Sequence, residues 1–162
     1  MTNKPDPRIA DVVKITPRSA FIASSDLQNL LSGHSIPSTE AVAHLLNSLP
    51  APLTPDSRIL QIGVGAGYLT LLLARLVAKI VVIEWQSSIK GIAEHNLAPF
   101  KQSNIILRQG DGTEGALDQS PFDFIIATCQ LDRLDSLLEQ LSPKGWLLCL
   151  EDGVNRNEML VG

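Results

Sequence analysis

Five short apolar runs recur between residues 58 and 151: RILQI, KIVVIE, NIILRQ, FDFIIAT and GWLLCLE. Each is continuous rather than alternating, the pattern of a strand covered on both faces. The intervals between them carry helical periodicity. YLTLLLARLVA sets Leu69, Leu72, Leu73 and Leu76 on one face. QSSIKGIAEHNLAPF sets Ile89, Ile92 and Ala93 together across the weakening Gly91, and LDRLDSLLEQL aligns Leu131, Leu134, Leu137, Leu138 and Leu141. GTEGALDQS has room only for a turn of helix. Strands alternating with amphipathic helices predict an α/β fold, a doubly wound and mainly parallel sheet with helices on both faces.

The first third is less regular. Residues 1–8 hold two prolines and mixed charge and are expected to lie loose. Residues 9–32 read as a helix followed by irregular structure, broken by Pro17, and GHSIPS (33–38) reads as a loop. TEAVAHLLNSL (39–49) has Val42, Leu45, Leu46 and Leu49 at helical spacing, with Pro50, Pro52 and Pro55 to end it. The expected organisation is a helical and loop segment over 1–56 packing on a core over 57–153. Residues 154–162 form a tail or the start of a linker to a further region.

Composition narrows the class. The 162 residues are 44% hydrophobic and 19% charged, ordinary values for one globular domain. With four Phe, two Trp and one Tyr, the core must be built mainly of Leu, Ile, Val and Ala. A net charge of −4 argues against a large phosphate-binding footprint, so neither a nucleic acid nor a membrane is an expected partner. No apolar stretch reaches the roughly 18 residues of a membrane helix. The two cysteines, Cys129 and Cys149, fit buried thiols in a reducing, cytoplasmic setting. His34, His44 and His95 have no metal-ligand spacing.

The chemistry concentrates in RILQIGVGAGYLTLLLARL (58–76), where Gly63, Gly65 and Gly67 follow directly on the first apolar run. Glycine adopts positive φ and lets a ligand meet bare backbone. A helix opening near Tyr68 offers free N–H groups and the positive end of its dipole. Ligands of doubly wound sheets sit at this place, beyond the carboxyl ends of the strands. The bland alternative is a tight turn with no ligand. A dinucleotide fingerprint would need its third glycine where Tyr68 stands. The observed spacing instead resembles motif I of the S-adenosylmethionine-dependent methyltransferases.

Two later positions support a nucleoside. Glu84 ends the second run, 21 residues after Gly63, where a carboxylate can accept hydrogen bonds from both ribose hydroxyls; a solvated strand-end charge is the alternative. Trp85 follows it, to pack on adenine or to fill a crevice. In QGDGTEG, Asp111 is placed to accept from an adenine amino group while Gly112 keeps the backbone close; a turn-forming Asp-Gly pair is the alternative. Thr128 and Cys129 lie near the same crevice by topology.

These stretches, with PRSAFI, GHSIPSTEAVAHLL, EHNL, PFDFIIAT and LLEQLSPKGWLL, resemble the protein-L-isoaspartate O-methyltransferases over about residues 17–153. The resemblance implies a Rossmann-like methyltransferase sheet and S-adenosyl-L-methionine as cofactor. It also implies an isoaspartyl-containing protein or peptide as substrate. Gly63, Gly65, Gly67, Tyr68, Glu84, Trp85, Asp111 and Gly112 would then bind the cofactor. The family's active-site serine lies in the loop that reads GHSIPS here. Pro37 occupies its ungapped position, which leaves Ser38, one residue along, and Ser35 as catalytic candidates. The family's usual acid two residues before the first glycine is replaced by Gln61, removing a charge near the ligand's ammonium. The family's last antiparallel strands have no recognisable counterpart in NRNEMLVG, so the chain is expected to continue into a missing region. A second reading follows from these departures: a methyltransferase-like domain without catalysis that binds the cofactor or a protein partner. The segment ATCQ, where nucleic-acid amino methyltransferases carry an N/D-P-P-Y/F motif, argues against that substrate class.

Overall fold

The computed structural model describes residues 5–22, 38–150 and 157–161. Its centre is β1 (Arg58–Ile62), flanked by β2 (Lys79–Glu84) and β4 (Phe122–Ala127). Beyond β2 lies β3 (Ile105–Gln109), and beyond β4 lies β5 (Leu141–Leu150). These five strands are parallel. A sixth, β6 (Asn157–Val161), pairs antiparallel with β5, giving the order β3-β2-β1-β4-β5-β6. The sheet thus carries a strand within the stretch read as tail or linker. The chain reverses its direction of travel across the sheet between β1 and β4, so the crevice opens over those two strands.

Alternate residues of each strand feed two apolar layers. Ile59, Ile80, Val82, Phe124 and Ile126 face α1 (Pro7–Ile15), α3 (Thr39–Asn47), α4 (Tyr68–Ala74) and α5 (Ser87–Leu97) in one cluster. Leu60, Ile62, Val81, Ile83, Ile125 and Leu147 face Ala116 and Leu137 in the other. A short helix, α2 (Ser19–Ile22), brings Phe21 into the first layer, 5.6 Å from the rings of both Tyr68 and Phe100.

The helices are shorter than periodicity alone predicts, each for a local reason. The 68–78 run stops at Ala74 because the Asn104 side chain donates to Ala74 O and Val77 O, at 2.7 and 2.9 Å, and takes over the end of α4. The 86–100 run stays α-helical to Leu97 and then tightens into a 3₁₀ turn, Ala98–Phe100, at Pro99. The 131–141 run keeps only α6 (Asp135–Leu138). There Phe122 N–H donates to Gln140 O at 2.8 Å, so the chain is already drawn into the sheet and Leu141 opens β5. At the other end, residues 7 and 8 are helical rather than loose. Asp6 caps α1 by accepting from Arg8 N–H at 2.9 Å, with Pro7 at the first helical position.

Candidate functional site

β1 ends at Ile62 and the chain turns through three left-handed glycines, Gly63 (φ +86), Gly65 (φ +53) and Gly67 (φ +97), before α4 begins at Tyr68. The three differ in what surrounds them. A Cβ on Gly63 would fall on Thr128 Oγ1, and one on Gly67 would press Leu97 at 3.1 Å. Among the described residues, a Cβ on Gly65 would meet nothing within 4 Å. The outer two glycines allow close packing within the protein, and the middle one faces open space.

The loop is fixed by side chains from every element around it. Glu84, 7% exposed, accepts from Val64 N–H through Oε2 and from Gln86 N–H through Oε1, both at 3.0 Å. Each of its oxygens keeps a second lone-pair direction, so the carboxylate is oriented without being used up. Thr128, just past β4, places its hydroxyl 3.0 Å from Gly63 O and 3.1 Å from Ile62 O, able to donate to one of them. Asn96 donates to Ala66 O at 3.0 Å. Gln61 is 1% exposed and does not look into the crevice. Its Nε2 donates to Gly63 O at 2.9 Å and its Oε1 accepts from the Thr70 hydroxyl at 3.0 Å.

The other candidates divide. Trp85 is 71% exposed beside Glu84 and fills no crevice. Tyr68 is 2% exposed, its ring against Phe21 and its hydroxyl 3.3 Å from that of Thr39, so its side chain ties the N-terminal helices to α4. Only its backbone is left to face the loop. Asp111 caps the 3₁₀ turn Gly112–Glu114. Its Oδ1 accepts from Thr113 N–H at 2.9 Å and the Thr113 hydroxyl at 2.7 Å, and Arg133 lies 3.7 Å from Oδ2. The Thr113 bonds hold its pKa below the usual carboxylate range, against partial burial and with help from the Arg133 charge. The turn-forming role is therefore realised, with Oδ2 on the Arg133 side. Gly112 is required by Ile62, whose Cγ2 occupies the place of a Cβ. The Ser38 hydroxyl oxygen is the N-cap of α3, accepting from Ala41 N–H at 3.1 Å, which gives Ser38 a structural task. Ser35, His34 and Pro37 lie outside the described residues.

Sequence reasoning missed the braces. Asn96 is one polar residue on a weakly patterned helix. Gln140, 2% exposed, accepts from Ala116 N–H at 2.7 Å and donates to Glu114 O and Ser136 O at 2.9 and 2.8 Å. It knits the turn after β3 to α6, and nothing in spacing or composition announces it.

An adenosyl ligand suits this donor and acceptor set. Bare backbone at Gly65 admits close approach, the start of α4 has no side-chain cap among the described residues, and Glu84 is held ready for a diol. Sheet order, crevice and acidic strand end together define a Rossmann-like methyltransferase domain. The chain matches, over residues 3–160, the family model described as protein-L-isoaspartate(D-aspartate) O-methyltransferase, and it belongs to that family. A protein-L-isoaspartate O-methyltransferase of Roseiflexus castenholzii is 32% identical over 152 residues, 88% of this chain and 69% of the relative. Its counterpart in Halorhodospira halophila is 34% identical over 165 residues, 96% of this chain and 74% of the relative. A solved protein-L-isoaspartate O-methyltransferase superposes with a TM-score of 0.75 at 24% identity, over 90% of this chain and 50% of that one. The chain thus spans half of that solved protein. A SAM-dependent O-methyltransferase of Thermotoga maritima superposes with a TM-score of 0.64 at 21% identity, over 82% of this chain and 52% of that one.

Proposed function

We propose that the chain is an S-adenosyl-L-methionine-dependent carboxyl methyltransferase that esterifies isoaspartyl residues of damaged proteins. The observation that carries this reading is Gly65: a left-handed glycine with open space where its Cβ would be, at the switch point of the sheet, beside a buried carboxylate already oriented by backbone N–H groups. Family membership and the names of the relatives support the substrate class.

In this reading the cofactor supplies an electrophilic methyl on a sulfonium. Glu84 holds the ribose, and the backbone at Gly65 and the start of α4 accept the methionine portion. Trp85 offers its exposed indole to the adenine edge, with Asp111 beyond. The substrate carboxylate, with a pKa near 4, is already ionised at neutral pH, so no general base is required. What the protein must do is align that carboxylate with the methyl and exclude water. This fits a site whose polar groups are spent on fixing backbone rather than on a proton relay.

The test is methyl transfer from S-adenosyl-L-methionine to an isoaspartyl peptide, with the aspartyl isomer alongside. Ester formation on the isoaspartyl peptide alone is expected. Cofactor binding without transfer to either peptide would overturn the activity and leave a binding domain.

A further inference from the structure

The turn that carries Gly65 is clamped at two peptides, one on either side. The peptide joining Gly63 to Val64 is held from the strands: its N–H donates to Glu84 Oε2 at 3.0 Å and its carbonyl accepts from Gln61 Nε2 at 2.9 Å. The peptide joining Ala66 to Gly67 is held from a helix. Its N–H donates to Val64 O at 3.0 Å, which closes a four-residue turn, and its carbonyl accepts from Asn96 Nδ2 on α5 at 3.0 Å. The next residue of α5, Leu97, lies 3.1 Å from where a Cβ on Gly67 would stand. Two consecutive residues of α5 therefore back the second half of the turn, one by a directed bond and one by packing. With glycine at 63, 65 and 67 the backbone has little preference of its own, so the direction of each peptide follows from what bonds it. The Glu84 carboxylate is oriented without Asn96, by the N–H groups of Val64 and Gln86.

We propose that Asn96 is a positioning residue for the amino-acid half of the cofactor. By fixing the Ala66–Gly67 peptide it sets the direction in which Gly65 and the start of α4 meet the methionine portion. The nucleoside half is held by Glu84 and does not depend on it. The inference rests on the reading of this loop as the cofactor site, and it divides that site into two parts with separate supports.

Two ligands separate the parts. S-adenosylhomocysteine carries both halves, whereas 5′-methylthioadenosine keeps the nucleoside and thioether and lacks the amino acid. Affinities for both are compared in wild type, Asn96→Ala and Asn96→Asp by calorimetry, the smaller ligand by displacement. Alanine removes both the donor and the bulk of the side chain; aspartate keeps the bulk and removes only the donor. Each variant is expected to bind S-adenosylhomocysteine about three- to tenfold more weakly, the range of one neutral hydrogen bond, and 5′-methylthioadenosine within about twofold of wild type. Asn104→Ala, which acts at the opposite end of α4, is expected to move neither ligand. Circular dichroism on the same samples keeps loss of fold separate from loss of affinity. Equal loss of both ligands, or wild-type affinity for S-adenosylhomocysteine in either variant, overturns the positioning role and leaves the cofactor site intact. A wild-type protein that binds S-adenosylhomocysteine but not millimolar 5′-methylthioadenosine overturns the division into halves. A wild-type protein that binds neither overturns the cofactor reading, and this inference with it.

Discussion

At the residue scale the three glycines separate stability from binding. Gly65→Ala adds a methyl that touches no atom of the described residues within 4 Å, so its cost to the fold is that of the left-handed backbone, roughly 1–2 kcal/mol. Gly63→Ala adds a clash with Thr128 to that strain. Chemical denaturation should therefore rank Gly63→Ala as the less stable of the two, while calorimetry should find cofactor affinity much reduced in the folded Gly65→Ala protein. Equal loss of stability at both positions would contradict the assignment. Glu84 is a second case. Both its oxygens accept backbone N–H bonds, so Glu84→Gln must turn an NH₂ toward one of those donors. Gln is then expected to be nearly as harmful as Ala, each weakening adenosyl binding by about 1–3 kcal/mol. A Gln variant with wild-type affinity would remove Glu84 from the ribose.

At the scale of elements, the parts most legible in the sequence are those whose burial is two-sided. β1, β2 and β4 announce themselves because most residues in them are apolar and nearly all are buried between two layers. The position of the glycine loop and of Glu84 followed from strand ends alone. Helix ends were not legible, because single polar side chains decide them. Asn104 ends α4, and Gln140 together with the Phe122 N–H ends the 131–141 run after one turn. Neither signal has a period. The same holds for the loop braces Gln61, Thr128 and Asn96, whose partners are backbone atoms that no sequence pattern marks. The place of the Tyr68 side chain was not legible for a related reason: adjacency to the glycines said nothing of the buried ring cluster with Phe21. Removing the Asn104 brace should cost about 1–2 kcal/mol of stability and leave cofactor affinity unchanged, since it acts at the end of α4 opposite the glycines. A binding defect in Asn104→Ala, measured alongside its denaturation curve, would show that the two ends of α4 are coupled. Ser38→Ala should similarly cost about 0.5–2 kcal/mol through loss of the α3 cap.

At the scale of the whole molecule, the described residues carry a switch-point crevice on a six-stranded sheet. Its stability is expected to decline in acid. Asp6, Asp111 and Asp118 are all held below the usual carboxylate range, by hydrogen bonds from Arg8, Thr113 and Arg108 respectively. A carboxylate with a depressed folded pKa stabilises the protein above its unfolded pKa and loses that contribution as pH falls through the folded value. The thermal midpoint of Asp118→Asn should lie slightly below wild type at pH 7, with the gap narrowing as pH falls below about 4. Because this pair is exposed, added salt should narrow the gap as well. A gap that widens in acid would contradict the pairing. The account stands, above all, on bare backbone at Gly65 receiving an adenosyl ligand. The most direct measurement is calorimetric titration of S-adenosylhomocysteine into wild-type protein and into Gly65→Val, with folding of both verified. Saturable one-to-one binding to wild type and none to the variant is the predicted result; no binding to wild type, or equal binding to both, would contradict it.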